Sequence, residues 1–263
     1  MKITLFTSNQ SRHNYLINKL SEIADELFVV QENDTRFPGI TPGHYPASNI
    51  FEDYFKNVIE AEKKLFGENY IKCKNINIIS LLEGDINKCK IDFFSSFLNS
   101  DIYIVTGSSY IKGDLAEFLI KKKAISIHMG LAPYYRGTDC NFWALYDDNP
   151  NLVGATIYLL SKGLDTGQIL YHAISEIKIN PFIYTMSCVK SAFDSIVERI
   201  KDNSIYKNSL IKQDQNKEIR YSKKIDFNEN IIKQFFEKDI DLVTKPTDLS
   251  LYTNPFILKN KIN

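Results

Sequence analysis

His128 and Asp165 stand 37 positions apart, and a histidine assisted by a carboxylate is a usual acid–base pair. The runs around them place both where such chemistry is displayed. Asp101–Val105 is a short apolar, β-rich run that ends in Thr106-Gly107-Ser108-Ser109. Residues 114–120 carry a helical pattern, and a second apolar run, Ala124–Ile127, follows the break at Lys121-Lys122-Lys123. Strand, helix, strand is the unit of a parallel sheet. His128 therefore falls at the carboxyl end of a strand, where open α/β sheets place their ligands. Asp165 lies in the turn Lys162–Gly167, between the β-rich runs Gly154–Leu160 and Gln168–His172. Taken alone, each residue has a plainer reading too: a hydrogen-bonded core histidine and an ordinary turn aspartate.

A longer pattern joins them. Ile125–Gly130 leads into a bend, Leu131–Gly137, too rich in Pro and Gly to continue the strand, and then into a helical run at Asn141–Tyr146. The stretch SIHMGLAPYYRG followed by GATIYLLSKGLDTGQIL resembles the folate-dependent formyltransferases. That family includes methionyl-tRNA, glycinamide ribonucleotide and sugar N-formyltransferases. Its pattern is Asn-x-His, a Leu-Pro-containing bend with Arg-Gly, then Gly-x-Thr and an Asp-x-Gly loop. His128, Pro133, Arg136-Gly137, Gly154-Ala155-Thr156 and Asp165-Thr166-Gly167 follow it in order. The resemblance covers residues 101–172 and is fainter over 1–30 and 173–225. It departs at one place: Ser126 stands where the family has Asn.

The resemblance implies a Rossmann-like parallel sheet flanked by helices, an α/β fold, with a catalytic domain over residues 1–200 and a short peripheral extension over 201–263. It implies transfer of a formyl group from 10-formyltetrahydrofolate to an amine, without a metal. The attack gives a tetrahedral intermediate, so the site must donate hydrogen bonds to an oxyanion and move a proton between two nitrogens. His128 is the implied donor, Asp165 its partner, and Ser126 a shorter substitute for the family's amide. The loop Gly107-Ser108-Ser109-Tyr110-Ile111 is the implied pterin cradle, acting through backbone groups, with Gly163 and Leu164 beside it.

Composition bounds the rest. The 263 residues suffice for one large α/β domain with an appendage, and Lys+Arg and Asp+Glu both number 32. A neutral balance offers nucleic acid no electrostatic footprint. Cys73, Cys89, Cys140 and Cys188 form no CxxC pair and no secretory signal precedes them, so they read as free thiols in a reducing compartment. No apolar run approaches the roughly 20 residues that span a bilayer. The expectation is a soluble, cytoplasmic protein with no nucleic-acid or membrane partner, which could pair as a homodimer.

From the start of the chain, Met1–Thr7 has a buried-strand pattern, and Ser8 or Asn9 could cap the helical run after it. Free amides at a helix start favour an anion, and Arg12 adds charge there. Asn9 and Arg12 are thus candidates for the acceptor's phosphate, or simply a cap and a solvated arginine. Residues 31–49 form a Pro- and Gly-rich loop carrying His44 and Tyr45, and Ile50–Phe66 a long helix whose Glu52, Asp53, Glu60 and Glu62 are expected on its solvated face. Tyr134, Tyr135, Phe142 and Trp143 could stack on a sugar or base, Phe142 and Trp143 being better read as core. Tyr135 and Arg136 complete the acceptor candidates.

The acceptor follows from what is missing. Methionyl-tRNA enzymes carry a basic C-terminal β-domain, and only 38 residues follow Ile225 here, with the acids Glu237, Asp239 and Asp241 among them. Glycinamide ribonucleotide enzymes have a Gly-rich loop where this chain has Ser8-Asn9-Gln10. The expected acceptor is an amino sugar, nucleotide-linked. The alternatives are those two other amines, a folate- or nucleotide-binding protein weakened by the change to Ser126, and an unrelated Rossmann-like module without folate affinity. If the Ser126 hydroxyl donates to the oxyanion, Ser126→Ala is expected to raise the barrier by up to roughly 3 kcal/mol, one donor's worth. Turnover equal to the parent's in a formyl-transfer assay would leave Ser126 a strand-end residue.

Overall fold

Alternation along the strands decides how the chain is layered. In β1 (Lys2–Ser8), Ile3 and Leu5 enter one core and Phe6 the other. The same split recurs in β2 (Glu26–Asn33), with Leu27 and Val29 against Phe28 and Val30. Period-two patterning of apolar residues on both faces is what a sheet covered on both sides requires. The computed structural model describes residues 1–207, 209–242 and 248–258.

Between β1 and β2 lies α1 (Ser11–Ser21); α2 (Asn49–Phe66), β3 (Ile76–Leu82), β4 (Ile102–Val105), α3 (Gly113–Lys121) and β5 (Ile125–His128) follow. After them come β6 (Tyr135–Gly137), α4 (Cys140–Tyr146), β7 (Ala155–Leu159), β8 (Ile169–Ser175) and α5 (Pro181–Lys201). The described chain closes with β9 (Arg220–Ser222), α6 (Glu229–Glu237) and β10 (Phe256–Leu258). The main sheet has eight strands in the order β10-β8-β7-β5-β4-β1-β2-β3, and β6 pairs with β9 separately. The fold is the expected α/β sheet flanked by helices, mostly parallel. One strand reverses: β7 runs antiparallel to both β5 and β8. The chain between β5 and β7 folds into the bend and the short α4, not a sheet-crossing helix, so β7 can return alongside β5 in the opposite sense.

Helix boundaries have local causes. Ser48 caps α2 by accepting from the Phe51 amide, and Asn180 caps α5 with Pro181 at its first position. The expected cap of α1 at Ser8 or Asn9 is not formed: Gln10 is the N-cap residue and makes no side-chain cap bond. Described residues after 200 pack against the rest of the chain. Phe227, Ile232, Phe235 and Leu242 join the larger core, β9 pairs with β6, and β10 extends the main sheet beside β8.

His172, on β8, ties this last segment to the bend. Its Nδ1 accepts from the Thr253 amide at 3.0 Å, and its Nε2 donates to the Ala132 carbonyl, also at 3.0 Å. Those partners require the neutral ring. Burial lowers its pKa to about 4. The unfolded ring titrates near 6.5, so the stabilisation is complete above that pH and is lost as pH falls toward the folded value. Between about pH 7 and 5 the unfolding free energy is expected to drop by about 2 kcal/mol from this residue. Urea denaturation at the two pH values checks it, with His172→Gln flattening the dependence; equal slopes in parent and variant would assign the loss to other groups.

Candidate active site

The main sheet changes winding direction between β1 and β4, the strand pair at which open α/β sheets form a crevice. The carboxyl ends of β1, β4 and β5 bring Ser8, Thr106 and His128 to a cavity of about 710 Å³, ample for a small ligand. Val105, Ile111, Ala116, Ile120, Leu160 and Leu164 give it an apolar wall. Ser8, Arg12, His13, Asp34, His44 and Glu62 give it a polar one.

His128 and Asp165, distant in sequence, meet here. The His128 Nδ1 lies 3.4 Å from Asp165 Oδ1, and both side chains are largely buried. The other ring nitrogen, Nε2, lies 3.2 Å from the Tyr135 carbonyl, so the imidazole is held at both ends. Asp165 itself is held by several groups. Its Oδ2 accepts from the Gly137 amide at 3.1 Å, and its Oδ1 from the Tyr158 hydroxyl at 3.0 Å. Gln213 Nε2 donates to the carbonyls of Asp165 and Gly167, each at 2.8 Å. Gly137 has φ +95°, and a Cβ there would meet the Ser222 carbonyl oxygen at 1.9 Å, so only glycine can present this amide. Ser126 lies two residues before His128 on the same face of β5 and opposite Tyr158 in the β5–β7 register.

The loop after β4 lines the cavity, and its shape is imposed from below. Glu32, at 2 % exposure, accepts from the amides of Ser109 at 2.6 Å and Gly84 at 2.8 Å. Asn87 accepts from the Lys112 amide and donates to the Tyr110 carbonyl. Two backbone groups of the expected pterin cradle are therefore bound within the chain, while the buried Ser108 hydroxyl has no partner among the described residues and lines the cavity. Gly107 has φ +67°, and a Cβ on it would touch the His13 ring at 2.6 Å. His13 hydrogen-bonds Ser8 through Nδ1 at 2.6 Å, and burial lowers its pKa well below the ordinary value. Gly163 and Leu164 line the cavity beside Tyr110, whose hydroxyl donates to the Lys162 carbonyl at 2.6 Å. Among the described residues no group of three or more His, Cys, Asp or Glu could hold a metal ion. None of the described helices is long and apolar enough to cross a membrane.

The acceptor candidates do not assemble as expected. Asn9 joins the start of α1 to the next loop, donating to the Asp34 carbonyl and accepting from its amide. Arg12 lines the cavity, and its guanidinium pairs with Glu62 at 2.5 Å while its amide donates to the same carboxylate at 2.8 Å. Glu62 is thus a buried partner and not on the solvated face of α2, and the anion at the start of α1 is the chain's own. Tyr135 is a core residue at 1 % exposure, its hydroxyl accepting from Asn149 at 2.8 Å. Arg136 turns away from the cavity to Glu218 and to the Leu164 carbonyl at 2.9 Å, which fixes the Asp165 loop. Phe142 and Trp143 are core, as read.

Sequence reading missed Tyr158, Glu32, Gln213 and Thr156. Thr156 Oγ1 accepts from the Ala132 amide at 2.8 Å and donates to the Gly130 carbonyl at 2.7 Å, pinning the bend that follows His128. Its place in the Gly-x-Thr pattern was a usable signal. Glu32 and Gln213 carried none, because their partners lie 77 and 48 positions away.

Residues 98–196 match the sequence profile of the formyl transferase family. A methionyl-tRNA formyltransferase from Caldicellulosiruptor saccharolyticus is 29% identical over 134 residues, which is 49% of this chain and 42% of that protein. The match thus spans less than half of that relative's length. Among solved structures, a 4-N formyltransferase from Francisella tularensis superposes with TM-score 0.53 at 18% identity, covering 86% of this chain and 77% of its own. A sugar N-formyltransferase from a Shewanella species gives 0.51 at 16% identity, covering 86% and 78%. Glycinamide ribonucleotide transformylase 1 from Symbiobacterium toebii gives 0.51 at 12%, covering 78% and 87%. These likenesses show a shared fold.

The Arg12–Glu62 pair yields a test of its own. Removing one partner leaves the other buried and under-satisfied. Arg12→Ala is expected to lower the unfolding free energy by about 2–3 kcal/mol, measured by urea denaturation. A change below about 0.5 kcal/mol, the range of an ordinary surface substitution, would show that the pair does not hold α1 to α2.

Proposed function

We propose that this chain transfers the formyl group of 10-formyltetrahydrofolate to the primary amine of a nucleotide-linked amino sugar. The observation that carries the reading is the His128–Asp165 pair, 3.4 Å apart and facing the cavity at the carboxyl end of β5. The apolar wall from β4, α3 and the 160–164 turn suits a flat heterocycle, and the orphaned Ser108 hydroxyl can bond to its polar edge. The polar wall from α1 and α2 suits a hydroxylated acceptor.

In the reaction a C–N bond forms between the acceptor nitrogen and the formyl carbon, and the bond from that carbon to the folate nitrogen breaks. His128 donates to the carbonyl oxygen as it becomes an oxyanion, exchanging its long contact with the Tyr135 carbonyl for a shorter charge-assisted bond. Asp165 orients the ring and balances its charge while a proton passes from the incoming to the leaving nitrogen. Ser126, on the same strand face, lines the same cavity opposite Tyr158.

Glycinamide ribonucleotide is the weaker alternative, because Ser8-Asn9-Gln10 follows β1 where the resemblance calls for a Gly-rich phosphate loop. Methionyl-tRNA is disfavoured by the zero net charge of the chain.

The test is incubation with 10-formyltetrahydrofolate and a panel of nucleotide-linked amino sugars, reading the formamide by mass. His128→Asn is expected to lower kcat by about 100-fold or more with folate still bound. Asp165→Asn, which keeps the shape and removes the charge, is expected to lower kcat and shift the pH–rate profile. No product from any acceptor, or near-parent turnover in the His128 variant, would overturn the reading.

A further inference from the structure

We infer that Tyr158 is a positioning residue that sets the strength of the His128–Asp165 contact by sharing the carboxylate oxygen that faces the imidazole. The role in turnover rests on the proposed function; the geometry does not. Asp165 Oδ1 takes the Tyr158 hydroxyl at 3.0 Å and stands 3.4 Å from His128 Nδ1. Oδ2 is turned to the Gly137 amide. One oxygen thus serves both rings. A phenol donating to it draws charge away from the imidazole, weakening the attraction that would otherwise hold a proton on His128.

The placement of Tyr158 is built in. It is 4 % exposed on β7, opposite Ser126 on β5, and β8 carries one extra residue where β7 passes from Ile157 to Tyr158. Such irregularities re-aim side chains beside sites. Burial, and then the neighbouring carboxylate, hold the phenol's ionisation well above its ordinary value, so it remains a donor. The Ser126 hydroxyl faces the phenol oxygen from across the strands. A donor there polarises the O–H toward Asp165. Ser126 therefore acts on Asp165 through Tyr158, which gives the residue at the family's Asn position a task other than direct contact with the oxyanion. The other groups near His128 and this carboxylate are Cys140 from α4, a thiol pushed up by burial, with Asp139 and Arg136 near it and Tyr110 facing Tyr158.

The experiment needs no substrate. The chain has four histidines, so ring signals of histidine-labelled protein can be followed by NMR through pH, His128 being assigned by its loss in His128→Asn. Tyr158→Phe removes only the hydroxyl, and the His128 midpoint is expected to rise by about half a unit or more as Asp165 turns its full charge to the ring. Ser126→Ala is expected to give a smaller shift in the same direction, and Ser126→Ala/Tyr158→Phe no more than Tyr158→Phe alone. With formyl transfer as a second readout, the limb of the pH–rate profile should move with the midpoint. An unmoved midpoint in folded Tyr158→Phe, or additive shifts in the double variant, overturns the inference. Should Tyr158→Phe fail to fold, an unmoved midpoint in Ser126→Ala does so. A midpoint that moves in a protein that formylates no acceptor sinks the proposed function and leaves Tyr158's hold on Asp165 standing.

Discussion

The arrangement depends on how one buried carboxylate is satisfied. Asp165 has 6 % of its surface exposed, and a carboxylate taken from water needs hydrogen-bond donors or it is costly. Its donors come from separate parts of the chain, the Gly137 amide from the bend and the Tyr158 hydroxyl from β7, and the His128 ring faces it from β5. Each donor has to be presented by its own element at the right height. The close backbone approach at Gly137, the reversed direction of β7 and the turn between β7 and β8 are the means. Arg136 and Gln213 add no donor to the carboxylate. They bind the backbone of its loop, at Leu164 in one case and at Asp165 and Gly167 in the other.

The same logic explains a second buried acid. Glu32 reaches under the loop after β4 and takes the amides of Gly84 and Ser109, so one side chain shapes two walls of the crevice. Among the described residues neither acid pairs with a lysine or arginine. Both are stabilised by backbone and hydroxyl dipoles, which hold direction better than a flexible cation does and leave the cavity's apolar wall undisturbed.

At the other end of the cavity, α1 shows a positive helix terminus supplied with an anion from within. Glu62 binds both the amide and the guanidinium of Arg12, so α1 is fastened to α2 where a fold of this type could otherwise admit a phosphate.

The sequence by itself determined the layered sheet, the strand end that carries His128 and the loop that carries Asp165. Those features follow from local periodicity and from Gly and Pro at turns, which act over a few residues. It also sufficed for the long helix over Ile50–Phe66, which forms as α2. What the tertiary structure decided are the partners. Arg12 looks like a ligand-binding arginine until Glu62, fifty positions on, is seen to occupy it. Tyr135 and Arg136 sit in the motif, yet burial takes one into the core and Glu218 and Leu164 take the other away from the cavity. Tyr158 reads as one more aromatic in a strand until the antiparallel register sets it opposite Ser126 and within reach of Asp165. A side chain's role here depends on which donor or charge faces it across the fold, and that pairing is set by packing between elements far apart in the chain, where local pattern carries no information.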